Sequence, residues 1–166
     1  MMRILSLLLS LLMLAALPAV AEESPDEGLT YEVVFEGVEV QFPWSDWMIW
    51  VPAEWEVQAE DYDSIMAIGN GFTIHIKCWL HHDDSWDRIY DSLSSGASFQ
   101  EDFITYTTIN GFPVMIYDNT WLYFDLGDGT IADFRINLVK PFLDDYEGTL
   151  EMVYQMISSL HLPEEE

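Results

Sequence analysis

Between Phe103 and Val139 the chain is a series of β-forming runs cut by turn residues. Phe-Ile-Thr-Tyr-Thr-Thr-Ile stops at Asn110-Gly111. Phe-Pro-Val-Met-Ile-Tyr and Thr-Trp-Leu-Tyr-Phe-Asp follow, separated by a short break. Gly127-Asp128-Gly129 then precedes Thr-Ile-Ala-Asp-Phe-Arg-Ile-Asn-Leu-Val. Asn-Gly and Asp-Gly reach the positive φ angles that tight hairpins require. This spacing predicts an antiparallel meander in which each strand pairs with the next.

The rest of the chain can be built onto that platform. Tyr31, Val33 and Phe35 alternate as a strand, and the phase slips at Glu36-Gly37 before Val38, Val40 and Phe42 resume it. Trp47, Ile49 and Val51 predict a further strand stopped by Pro52, and Pro52 to Trp55 a short helical turn that tucks Trp55 under the sheet. The acidic segment from Glu56 to Ser64 reads as exposed. Ile65 to Ile68, Gly69-Asn70-Gly71 and Phe72 to Leu80 read as a hairpin. Its second strand places Phe72, Ile74, Ile76, Cys78 and Leu80 on one face and Thr73, His75, Lys77 and Trp79 on the other. Trp86, Ile89, Tyr90 and Leu93 fall at helical spacing behind the capping candidates Asp83, Asp84 and Ser85, with Gly96 as a stop. Leu143, Tyr146, Leu150, Val153, Ile157 and Leu160 predict a closing helix started by Asp144 and Asp145. The expected fold class is α+β: an antiparallel sheet of about six to eight strands, a meander of hairpins, with helices packed on its faces.

Composition bounds the setting. Met-Met-Arg3, an apolar run from Ile4 to Leu17 and Ala19-Val20-Ala21 form the pattern of a secretory signal peptide, residues 1–21, too short for a comfortable membrane span. A disordered acidic leader (22–30), one domain (31–162) and an acidic tail (163–166) complete the expected organisation. The chain carries 30 acids against five bases, net −25, and loss of Arg3 with the signal segment makes it one unit more negative. Such a surface repels phosphate backbones, so nucleic acid is excluded as a partner, and it attracts cations and basic partners. Cys78 is alone, so the core holds without a disulfide. No later stretch is apolar enough to span a bilayer. The expected location is secreted or extracytoplasmic.

Val51-Pro52-Ala53-Glu54-Trp55 after paired strands, a hairpin feeding a helix, Ile109-Asn110-Gly111 opening a meander, and a final helix closing in Met156-Ile157-Ser158-Ser159-Leu160 together resemble the PsbP/DcrB-like superfamily, which includes the Mog-like Ran-binding proteins. The resemblance spans Val33 to Leu162. It implies an antiparallel sheet with helices on both faces. It also implies a group of proteins most of which are not enzymes: accessory subunits, binding partners and envelope proteins. It brings no catalytic residue, because the matched positions are turns and core. The lipid-attachment cysteine of bacterial envelope members has no counterpart here.

Three groups of residues are candidates for chemistry. His81-His82-Asp83-Asp84 is the densest set of ligand-type side chains, and His81, His82 and Asp84 form a candidate weak divalent-metal site. Against it, adjacent strand residues point opposite ways, and aspartates here cap a helix. Asp125, Asp128 and the acids between Glu54 and Asp63 lack the spacing of a calcium loop. The second group is a surface of His75, Lys77, Trp79, Tyr117, Trp121, Tyr123 and Arg135. Aromatic rings interleaved with cations on an acidic protein suit recognition of a peptide, sugar or partner. The alternative is that a helix covers this face and the rings are core. Third, no nucleophile elbow, zinc-protease motif, phosphate loop or dinucleotide fingerprint occurs, and Cys78 sits on an apolar strand face. No cofactor is expected beyond a weak divalent metal. The leading expectation is a secreted non-catalytic binding or accessory protein, with a cation-binding protein or a carboxylate-pair hydrolase as alternatives.

Overall fold

The computed structural model describes residues 28–60 and 62–163. The expected signal peptide, residues 22–27 of the leader and residues 164–166 of the tail lie outside the described residues. The elements run β1 Gly37–Gln41, β2 Met48–Pro52, β3 Glu56–Ala59, β4 Ser64–Gly69, β5 Ile74–His81, α1 Trp86–Ser94, β6 Ile104–Ile109, β7 Phe112–Tyr117, β8 Trp121–Asp125, β9 Ile131–Leu138 and α2 Tyr146–Ser158. Strands β3 to β9 form one seven-stranded sheet in the order β3-β4-β5-β9-β8-β7-β6, and β1-β2 is a separate two-stranded ribbon. Every strand pair is antiparallel, so the α+β antiparallel class holds. The meander β6-β7-β8-β9 forms as its turn residues predict. Ile109 pairs with Phe112 across Asn110-Gly111, whose φ angles of +47° and +86° give the two left-handed residues of a tight hairpin.

Several local expectations are corrected. Tyr31, Val33 and Phe35 form no strand. Leu29 bridges to Ile109, and Asn110 accepts from the Tyr31 N–H at 2.8 Å while donating to its carbonyl at 2.9 Å. Side-chain bonds thus take the place of a strand ladder, and residues 28–30 lie along β6. Pro52 to Trp55 makes a single hydrogen-bonded turn, Trp55 N–H to the Pro52 carbonyl, rather than a helix. Trp55 is buried as expected, and its ring lies over Gly69, where any Cβ would stand 2.6 Å from Cε2. The segment Glu56 to Ser64 is not simply exposed. Glu56–Ala59 is an edge strand, and Asp63 and Ser64 are buried. Phe72 does not continue the apolar face of β5. Asn70, Gly71 and Phe72 are all left-handed, which delays the start of the strand to Ile74 and leaves Phe72 in solvent. The closing helix begins at Tyr146, three residues after Leu143, and ends before Leu160.

Helix ends follow capping chemistry. Ser85 caps α1 by accepting from Arg88 N–H, and Asp145 caps α2 by accepting from Gly148 N–H at 3.0 Å. The main core joins Ile65, Ile76, Cys78, Leu122 and Phe134 of the sheet to Ile49 and Val51 of the ribbon and to Val153, Met156, Ile157 and Leu160 of the α2 segment. A smaller cluster joins Ile89 of α1 to Met115, Tyr123 and Ile131. The alternation of β5 sorts as predicted: Ile74, Ile76, Cys78 and Leu80 are buried, while His75, Lys77 and Trp79 are half-exposed.

Candidate functional site

Cross-strand register decides which side chains meet. Residues opposite one another on neighbouring strands share a face. Tyr117 pairs with Trp121, Trp121 with Arg135, Arg135 with Lys77 and Lys77 with Met66, giving one continuous row. The adjacent row on the same face runs Met115, Tyr123, Asp133, Trp79 and Ser64. Six of the seven predicted surface residues therefore fall in two neighbouring rows. His75 stands one row further out, opposite Asn137, with its ring against Phe72. This face is covered only in part. Tyr123 is buried in the cluster with Ile89 of α1, while Lys77, Trp79, Trp121 and Arg135 remain half-exposed.

Arg135 is the centre of the arrangement. Its guanidinium carbon lies 4.1 Å from the Trp121 ring centroid and 5.4 Å from that of Trp79. Lys77 Nζ lies 4.3 Å from the Trp79 centroid and forms an ion pair with Glu60. Arg135 donates from Nε and Nη2 to the two oxygens of Asp133, each at 2.8 Å. His81 Nε2 approaches Asp133 Oδ2 at 3.6 Å, an ion-pair distance too long for a hydrogen bond. Burial pushes the Asp133 carboxyl up, but His81 and Arg135 outweigh it and hold the group below the ordinary aspartate range. Burial opposes the charge on Arg135, yet Asp133 more than compensates and keeps it firmly protonated. Burial, reinforced by Asp133, raises the Tyr123 hydroxyl well above its usual range.

Sequence reasoning missed Asp133. A signal existed: it lies two residues before Arg135, so strand periodicity puts both on one face, and a carboxylate inside a mostly apolar strand needs a counter-charge.

This face floors a cleft of about 780 Å³. Tyr117, Trp121, Asp133 and Arg135 line its floor, Arg88, Ile89 and Ser92 of α1 one side, and Phe99 and Gln100 another. The Phe99 and Tyr117 rings are stacked at 5.8 Å, and Tyr117 and Trp121 lie 5.6 Å apart.

The metal candidates are placed differently. His82 Nε2 is 2.9 Å from Asp63 Oδ2, His81 faces Asp133, and Asp84 Oδ1 accepts from the Ser85 N–H at 2.8 Å. All three border one shallow hollow, but His82 is bonded to Asp63 and Asp84 to the Ser85 N–H, while His81 Nε2 makes no hydrogen bond. Among the described residues no group of three or more His, Cys, Asp or Glu side chains is arranged to hold a metal ion. Asp125 closes its own turn by accepting from the Gly127 N–H. Cys78 is fully buried, and burial together with the charges of Asp133 and Asp63 pushes its thiol well up, away from a reactive thiolate. Among the described residues no helix is long and apolar enough to cross a membrane. No family model matches this chain, and no curated protein matches it significantly.

Proposed function

We propose that this chain is a secreted, non-catalytic binding or accessory protein, and that the face built on Trp121, Arg135, Trp79 and Lys77 meets its partner, another protein or a cell-surface component. The observation that carries this reading is the guanidinium of Arg135, held by a carboxylate and two indoles on the floor of an open cleft. Groups held this way suit recognition better than acid–base chemistry. Arg135 keeps its proton, and Asp133 stays ionised with a lone pair on each oxygen committed to Arg135. Rings and an arginine pre-positioned at a surface lose little conformational entropy on binding, as anchoring residues in interfaces do. The same reading keeps the proposed PsbP/DcrB-like kinship, whose Trp55, Asn110 and Leu160 serve here as packing and turn residues.

The test is retention on a surface fraction of the producing organism. The purified exported protein is expected to be retained, and Trp121→Ala and Lys77→Met, each checked for native circular dichroism, are expected to elute early. Equal retention of wild type and both variants would sink the proposal.

A further inference from the structure

We propose, resting on that reading, that the recognition face is a trough for a neutral polysaccharide chain, with three aromatic stations along it. The cleft beneath α1 does not stand alone. It shares His81, Asp84 and Arg88 with a hollow of about 510 Å³, which in turn shares Tyr62 and Trp79 with another of about 640 Å³ beside Lys77. These shared residues set the three hollows side by side along the sheet. The first station is Trp44 with Tyr62, rings edge to face at 6.0 Å and each about seven-tenths exposed. The second is Trp79. The third is Trp121 with Tyr117 and Phe99.

The first station is built rather than incidental. Tyr62 holds a φ of +68°, which a bulky side chain adopts only under constraint. The next residue, Asp63, is buried and clamps the site. Its Oδ1 accepts from the Trp44 N–H at 2.9 Å, and its Oδ2 meets His82 at 2.9 Å. A buried carboxylate thus holds two loops so that two large rings face water.

Charge and backbone select the ligand class. Three of the chain's five lysines and arginines border the trough, and each already has a carboxylate: Lys77 with Glu60, Arg88 with Asp84 and Arg135 with Asp133. An ion entering the trough finds these cations already neutralised, and an anion also meets the field of a chain with net charge −25. Trp79, Arg135 and Trp121 stand on β5, β9 and β8, all interior to the sheet, and only the Gln58 end of the trough borders the edge strand β3. The ladders of these interior strands use the backbone groups on both sides, so an extended peptide lying over them finds no backbone partner; strand addition belongs to the edges β3 and β6. A polyhydroxylated chain needs neither. Its apolar C–H faces stack on the exposed portions of these rings, and its hydroxyls bond side chains such as Gln58 and Gln100.

Affinity electrophoresis against soluble β-glucan, xylan and mannan, and depletion by insoluble cellulose and chitin, test this, with alginate as the anionic control. Binding to at least one neutral polysaccharide is expected, little changed between about 0.05 and 0.5 M salt because no ion pair is made. Tyr62→Asn, which keeps a residue tolerant of the left-handed backbone, and Trp121→Ala are each expected to weaken it about tenfold. No binding to any neutral polysaccharide, binding only to alginate, or binding unaltered in both variants would overturn the proposal. On the surface fraction, loss of retention after periodate oxidation of vicinal diols supports it. Loss after protease alone overturns it and leaves the broader binding reading intact with a protein partner, whereas no retention on the untreated fraction overturns both.

Discussion

Replacing Asp133 with asparagine isolates the charge at the centre of the site. The substitution keeps side-chain size, so no cavity forms, and it leaves one carbonyl oxygen for Arg135. What goes is the charge of an aspartate side chain 4% exposed that accepts two 2.8 Å bonds from an arginine side chain 37% exposed. A hydrogen bond to a charged group contributes about 1.5–3 kcal/mol, but Arg135 recovers water on its open side, and burying the carboxylate has its own cost of several kcal/mol. The net loss is about 2 kcal/mol. In a domain of this size each kcal/mol moves the melting temperature by about 3–4 °C, so a fall of about 6–8 °C at neutral pH is expected by circular dichroism. The sign with pH follows from the depressed Asp133 value. Stability from this group is present above the unfolded aspartate value and lost as pH falls through the lower folded one. The gap between wild type and variant therefore narrows below about pH 4. Adding Arg135→Met to the variant removes the stranded cation and is expected to restore part of the loss. A variant melting within about 2 °C of wild type, or a gap that widens in acid, would refute this account of the site.

Other positions test the fold around it. Gly69→Ala drives a methyl group to 2.6 Å from Trp55 Cε2 in a packed interior, so a loss of about 1–3 kcal/mol in urea unfolding and a shifted tryptophan emission are expected. Asn110→Gly keeps the left-handed turn but removes the bonds to Tyr31 N–H, Tyr31 carbonyl and Ser158 carbonyl. It should cost about 2 kcal/mol and speed amide exchange in residues 29–31. Ile157→Ala, at a fully buried position of α2, should cost about 2–5 kcal/mol in the same unfolding assay. Cys78 should resist a thiol-reactive dye in the native protein at pH 8 and label fully in denaturant, and rapid native labelling would contradict its burial.

Local chemistry was legible in the order of residues wherever the chain contacts only its near neighbours. Asn110-Gly111 names its own hairpin, Ser85 and Asp145 name their helix starts, and the alternation of Ile74, Ile76, Cys78 and Leu80 names the inward face of β5. Each depends on backbone sterics or a bond spanning a few residues, and such preferences are written in the sequence. The failures share the opposite property. Tyr31 to Phe35 alternates like a strand, but its polar groups are taken by Asn110 and Gln155, 79 and 121 positions away, so no ladder forms. Asp63 looks like one more acid in an exposed run until folding carries Trp44 and His82 to its two oxygens. Lys77, Trp121 and Arg135 share a face by strand parity alone, but their meeting required the order β5-β9-β8, which pairs a strand near the middle of the chain with one near its end. Parity is a property of one strand. Neighbourhood is a property of the assembled sheet, where burial and paired charge together select among arrangements that the linear pattern leaves equivalent.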